Sequence, residues 1–245
     1  MAECFMLHRA KARIPKFTYT GSYEVIDDGH GNWRIKFLTS GTLTFTSLAN
    51  ASRGIDVFLV GAGAGGVSYV GTIVSVAGGG AGYTKTQKNV PVTRGTSYSI
   101  VIGSGGANKS YQAGNPSSVT GNAGGSTSAF GYTASGGGSC KAGHNYYPET
   151  YNYSWSDGGN GGSGGGPHNK NGGTNGGNGE NGGTHHAGGT GQGTTTREFG
   201  ENDGALYATG GGSSSARGGA NTGNGNYGGS SGSGGSGIVV IRNHR

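Results

Sequence analysis

Apolar positions in the first hundred residues recur with a period of two. Trp33, Ile35 and Phe37 alternate with Arg34 and Lys36. Leu43 and Phe45 alternate with Thr42, Thr44 and Thr46, and Tyr98, Ile100 and Ile102 alternate with Ser97, Ser99 and Val101. Such alternation puts one face of a strand in a core and the other in water. Residues 17–20 and 23–26 are short aromatic or β-branched runs, and the cluster 27–32, with Gly29 and Gly31, is a turn. Ile55–Val60 is mostly apolar, as expected for a strand covered on both faces. No window of 12 residues carries a helical stripe. The pattern predicts an all-β fold with six to eight strands in a small N-terminal β-sandwich.

Beyond residue 103 the pattern changes. Of 35 Leu, Ile, Val and Phe residues, 27 lie in 1–103, four in 104–236, and four form the run 238–241. Glycine runs the other way: of 60, 16 lie in 1–103, 43 in 104–236, and one is Gly237. A bare four-residue apolar run is not stable alone. The run 238–241 is therefore expected to close the sandwich, anchoring both ends of the glycine field on one platform. This gives an arm at 1–16, a platform at 17–103 plus 237–245, and a glycine-rich region at 104–236.

Within the field, Gly173, Gly176, Gly179 and Gly182 sit three apart, as do Gly229, Gly232 and Gly235. A period of three in extended chain predicts left-handed threefold helices related to polyproline II. Without a Cβ, such helices approach until their backbones bond to one another, so the interior needs no Leu or Ile. The field is thus expected to be an ordered polyglycine II helix bundle. The rival is a flexible Gly/Ser linker, favoured by the large ordering entropy of glycine. More than a hundred residues of linker between two strands of one sheet would be unusual.

Composition narrows the class. Charged residues make up 11% of the 245-residue chain, which is not an ordinary enzyme composition. Five prolines exclude collagen, and no apolar run approaches the length of a membrane span. Two cysteines make no disulfide framework, and the amino terminus shows no secretory leader. These features point to synthesis in a reducing cytoplasm, with release by lysis if the protein works outside the cell.

Several motifs carry less than they promise. Gly61-Ala62-Gly63-Ala64-Gly65-Gly66 matches the dinucleotide fingerprint directly after a strand. That chemistry needs a helix next, to face its amides to a pyrophosphate. The residues that follow are β-branched and broken by glycine, so the match is rejected. His185 and His186 have only Glu180, His168 and His144 nearby, at no metal-binding spacing. They are expected to be exposed at a loop tip, where they count as ligand-contact candidates. No metal, no cofactor and no catalytic constellation is assigned, so an enzyme is not expected.

The segment 144–155 is different. Tyr146, Tyr147, Tyr151, Tyr153 and Trp155 fall within ten residues, surrounded by Asn and Ser, in a field nearly free of aromatics. Rigid amphipathic rings among small polar residues resemble an antibody paratope, and flat rings stack on sugars. The alternative is a small cluster that caps the glycine helices. Arg9, Lys11, Arg13 and Lys16 precede the first strand and are assigned to partner attachment rather than to nucleic acid, which would call for a basic stripe.

Four stretches resemble the glycine-rich domain proteins of bacteriophages and prophages: residues 17–21, 55–66, 190–200 with Thr194-Thr195-Thr196-Arg197-Glu198-Phe199, and 234–242. The closing glycine-to-strand motif is the most specific. The architecture is also similar to phage tail-tip adhesins with polyglycine II bundles, whose far loops carry host specificity. The resemblance implies a virion tail protein that binds tail-fibre or baseplate subunits and a host surface carbohydrate or wall polymer. It implies no membrane insertion, and homo-oligomers, trimers among them, are common in fibres. Two other classes remain open: a purely structural virion component, and an ice-binding protein presenting a regular face.

Overall fold

The computed structural model of the chain describes residues 14–70, 75–112, 118–145, 153–166, 196–212, 218–229 and 232–245. These are all-β apart from two short 3-10 turns, Ala49–Arg53 and Glu198–Gly200. One five-stranded sheet has the order β1 (Lys16–Tyr19), β4 (Gly41–Ser47), β9 (Ser97–Val101), β12 (Thr127–Ala129), β13 (Tyr132–Ala134). A second has the order β2 (Tyr23–Gly29), β3 (Asn32–Phe37), β16 (Ile238–Asn243), β5 (Ile55–Val60), β8 (Thr84–Val90). Two smaller sheets have the orders β10 (Lys109–Gln112), β6 (Val67–Val70), β7 (Ser75–Ala77) and β11 (Ser118–Thr120), β14 (Lys141–Asn145), β15 (Tyr153–Asp157).

The alternation seen in the sequence decides how the large sheets pack. Trp33, Ile35 and Phe37 of β3, Leu43 and Phe45 of β4, Ile100 of β9, and Val239 and Ile241 of β16 share one buried core. β5 is buried along its whole length, Asp56 included, as expected of a mostly apolar strand covered on both faces. Val57 and Leu59 face the shared core, while Phe58 and Val60 join Ile238 and Val240 in a second cluster on the other side of the sheet. The run 238–241 takes a central position, antiparallel to both β3 and β5. Its early and late neighbours are thereby tied across about two hundred residues of chain.

Strands of the glycine field join these sheets. β12 pairs with β9 in the first large sheet, and β10 pairs in parallel with β6. The chain runs from a large sheet through a glycine segment to a small sheet and back. β5 leads through 61–66 to β6, and β7 leads through 78–83 to β8. β9 leads through 102–108 to β10, and β11 through 121–126 to β12. Six residues of extended chain span roughly 20 Å, so the small sheets stand at one end and the large sheets at the other.

Between them lies a layer bonded through its backbone. Gly61 and Ala64 donate to the carbonyls of Tyr83 and Gly80. Ala62 and Gly65 donate to Gly125 and Asn122. The segment 78–83 repeats the pattern: Gly78 and Ala81 donate to Gly166 and Ser163, Gly79 and Gly82 to Asn226 and Gly223, Gly80 and Tyr83 to Gly138 and Ser135. Each neighbour is met every third residue, and each step of three along the donor is matched by three on the acceptor. A β-ladder would meet one neighbour every second residue.

Glycine is needed here for space rather than for an unusual backbone angle. A Cβ on Gly78 would lie 1.7 Å from the Gly211 carbonyl oxygen, and one on Gly63 would lie 1.8 Å from that of Asn224. Neither glycine has a positive φ. The buried layer therefore has no room for the side chains whose absence marked the field.

Candidate functional site

The end carrying the two small sheets is built on a third apolar cluster. Val67, Ala77, Cys140 and Ala142 are buried there, with Tyr111 and Val119 packed against them. Cys140 Sγ lies 3.4 Å from both the Gly65 and the Ala77 carbonyl oxygen, which share its single S–H. Burial pushes its thiol up to about 12. It is a packed core residue, not a nucleophile.

The two strands that flank the aromatic residues belong to this end. β14 and β15 form an antiparallel hairpin in which Asn145 opposes Tyr153 and Gly143 opposes Trp155. The chain between them, 146–152, thus joins two strand ends that lie away from the large sheets. Tyr146, Tyr147 and Tyr151 lie outside the described residues, and Tyr153 and Trp155 are placed by their register alone. His185 and His186 lie outside the described residues, as do Arg9, Lys11 and Arg13. Lys16 is exposed at the start of β1, the edge strand of the first large sheet.

A second place was not anticipated. The segment 196–207 crosses the outer face of the second large sheet as a strap. Phe199, at φ 58°, packs against Phe58 with ring centroids 6.0 Å apart. The Arg242 guanidinium lies 4.1 Å from the centre of the Phe199 ring. Glu198 is 2% exposed. Its carboxylate accepts from Arg34 Nη1 at 2.6 Å and from the Tyr207 hydroxyl at 3.0 Å, with Lys36 Nζ 3.7 Å away. Arg34 also grips Asp28 with Nε and Nη2 at 2.8–3.0 Å. Arg242 bridges the buried Asp56 and the half-buried strap residue Glu201.

Each shift in this network has a physical source. Burial alone would raise the Asp28 carboxyl, but hydrogen bonds from Arg34 and Arg245 outweigh it and hold the group below its ordinary value. Burial likewise opposes ionisation of Asp56, and His244, the Asn89 amide and Arg242 overcome it. Glu201 is lowered chiefly by its hydrogen bond to Arg242. A cleft of about 180 Å³ lies between the strap and the sheet, bordered by Asp28, Arg34, Glu201, Asp203, Arg242 and Arg245. Carboxylates and guanidiniums there neutralise one another, so the arrangement acts as a clamp.

Residues 38–244 match the glycine-rich domain, a span that includes the layer, the strap and the closing strand β16. The chain belongs to the glycine-rich domain family. No curated protein matches this glycine-rich domain chain. Among the described residues no group of three His, Cys, Asp or Glu side chains converges as a metal site. After Gly66 the domain continues as strand β6, so the helix that a dinucleotide fingerprint requires does not follow.

The clamp had a signal in the sequence. Asp56 interrupts an apolar strand, and Arg242 directly follows the apolar run of another. Buried charges of opposite sign within apolar strands call for partners. Glu198 carried no such signal, because it lies outside any apolar strand run, in the short 3-10 turn 198–200.

Proposed function

We propose that this glycine-rich domain protein is a bacteriophage tail-fibre or tail-tip receptor-binding protein. It recognises a host surface glycan or wall polymer through the aromatic segment 144–155. The observation that carries the proposal is the position of the hairpin β14–β15: Asn145 and Tyr153, the strand ends that the aromatic connection joins, lie at the end remote from the large sheets. A glycine layer that bonds through its backbone is stiff, which suits a projecting tip. In this reading the large sheets are a β-sandwich closed by β16 and attached to fibre or baseplate subunits. The glycine segments are polyglycine II helices, a reading supported by their three-residue bonding register.

The test compares binding to intact bacterial cells and to wall fractions for the wild-type protein and for a variant with Tyr146→Ala, Tyr147→Ala, Tyr151→Ala and Trp155→Ala. Saturable binding that the variant loses, with its circular dichroism spectrum unchanged, supports an adhesin. Equal binding by the two proteins removes the site from this segment. Absence of binding to any host fraction, with copies labelled along the virion body, moves the protein to the structural class.

A further inference from the structure

Of the four edge strands of the large sheets, three are guarded. β1 and β13 have four and three residues, and β8 carries Lys85 and Lys88. Short strands and lysines are the usual protections against pairing with another chain. β2 is the exception. It has seven residues, no lysine and no proline; its bulge is confined to the end of the strand, between Asp27 and Gly29, and no described strand pairs with the outer edge of residues 23–26.

Its side chains also point to a partner. Tyr23 and Val25 stand opposite Phe37 and Ile35, on the side of the sheet that faces the shared core. Yet they are 46% and 39% exposed, among the largest exposed apolar groups described. Tyr23 extends a ring cluster with Phe17 and Tyr19, at centroid distances of 5.1 and 6.1 Å. The core-side face of β2 is thus exposed, while Ile35 and Phe37 beside it stay fully buried. Glu24 and Asp27 are exposed acids on the same strand.

An added strand that fits would alternate small or apolar residues, over Tyr23 and Val25, with basic residues beside Glu24. Residues 9–13 have that alternation in sequence: Arg9, Lys11 and Arg13 are separated by Ala10 and Ala12. We propose that β2 is a strand-addition edge, and that its occupant is the basic segment 9–13 of a second copy of this chain. Main-chain hydrogen bonds would supply affinity and the alternate side chains the register. Opposite charges facing across the new pair would select the partner.

Sedimentation equilibrium of the full-length chain tests this, with circular dichroism as the check on folding. Wild-type protein is expected to self-associate. Glu24→Lys should weaken association by about tenfold, and so should the triple change Arg9→Glu, Lys11→Glu, Arg13→Glu. Combining both sets restores opposite charges on edge and arm and should recover association to within about threefold of wild type. Recovery separates strand addition from a merely structural effect of either change. A chain that stays monomeric at every concentration overturns the proposal, as does association indifferent to Glu24→Lys.

Discussion

The two buried layers of this molecule exclude water by opposite means. Between the large sheets, Trp33, Phe37, Phe45 and Ile241 fill the space with side chains, and the backbones stay a sheet-to-sheet distance apart. In the glycine layer the backbones themselves touch, and their amides and carbonyls satisfy one another in steps of three. The first core is damaged by removing atoms and the second by adding them. The difference teaches that low apolar content does not mean a missing interior. It means that the interior is bounded by hydrogen bonds, whose groups are costly to leave unmade.

The largest effect is expected from Gly78→Val. Its Cβ would sit 1.7 Å from one neighbouring backbone oxygen and 3.0 Å from another. One extra methylene in an adaptable side-chain core costs roughly 1–3 kcal/mol. Here a branched side chain meets backbone that is itself hydrogen-bonded, so the loss should reach at least about 4 kcal/mol, a large part of a domain's stability. Urea denaturation reads it. A loss below about 1 kcal/mol would mean that the layer is loosely packed. Gly29→Ala is the control, since nothing lies within 4 Å of its Cβ position and only its φ of 76° opposes the change.

The side-chain core should respond to the reverse operation. Ile241→Ala removes a fully buried group from the central strand and should cost about 3 kcal/mol. Native-state hydrogen exchange then sharpens the comparison. If the two layers are separate cooperative units, Ile241→Ala lowers protection in the large sheets and spares amides such as those of Gly80 and Gly124. Equal loss in both layers would show that they open together.

What could be read from the sequence divides along the same line. β3, β4 and β9 announce themselves because side chains alternate, and β5 and β16 because theirs are apolar on both faces. The strands β11, β12 and β13 are three residues each, and the apolar residues they supply are Val119, Ala129, Tyr132 and Ala134. They are flanked by glycine-rich segments or, between β12 and β13, by the turn Phe130-Gly131, none of which has a periodicity of side chains to read. Strands inside the glycine field were therefore invisible. The pairing of β14 with β15, the strands that flank the aromatic segment, followed from no local pattern. The stretch 190–200 stood out by resemblance, but its role as a strap was hidden: Glu198, between Arg197 and Phe199, gains its meaning only beside Arg34 and Tyr207.

Acid should separate the layers more gently. Asp28, Asp56 and Glu201 have pKa values below their unfolded values, so in the folded state they hold their charge to lower pH. Their contribution is full above the unfolded carboxylate range, near pH 4. It is lost as pH falls through the depressed folded values. All three lie on the second large sheet or its strap, and the described glycine segments contain no Asp or Glu. Between about pH 4 and pH 2, protection of the strap and of β2, β3 and β16 should fall first. Earlier loss in the glycine layer would contradict the assignment of these carboxylates as the acid-labile part.

The smallest effect is also the most local. Cys140 is 1% exposed at the far side of the glycine layer, with its thiol pushed up to about 12 by burial. At pH 8 almost none of it is thiolate, the form that reacts with iodoacetamide. Native protein should therefore label at least about a hundredfold more slowly than unfolded protein, at a rate set by opening of the end that carries the small sheets. Gly121 lies beside this sulfur, and a Cβ there would stand 3.4 Å from it and 2.9 Å from the Gly65 oxygen. Gly121→Ala should raise the labelling rate about tenfold, whereas Ile241→Ala, buried in the other core, should leave it within about twofold. Equal acceleration by both substitutions would mean that one opening event spans the molecule, and that the contrast between its two interiors is one of packing only and not of stability.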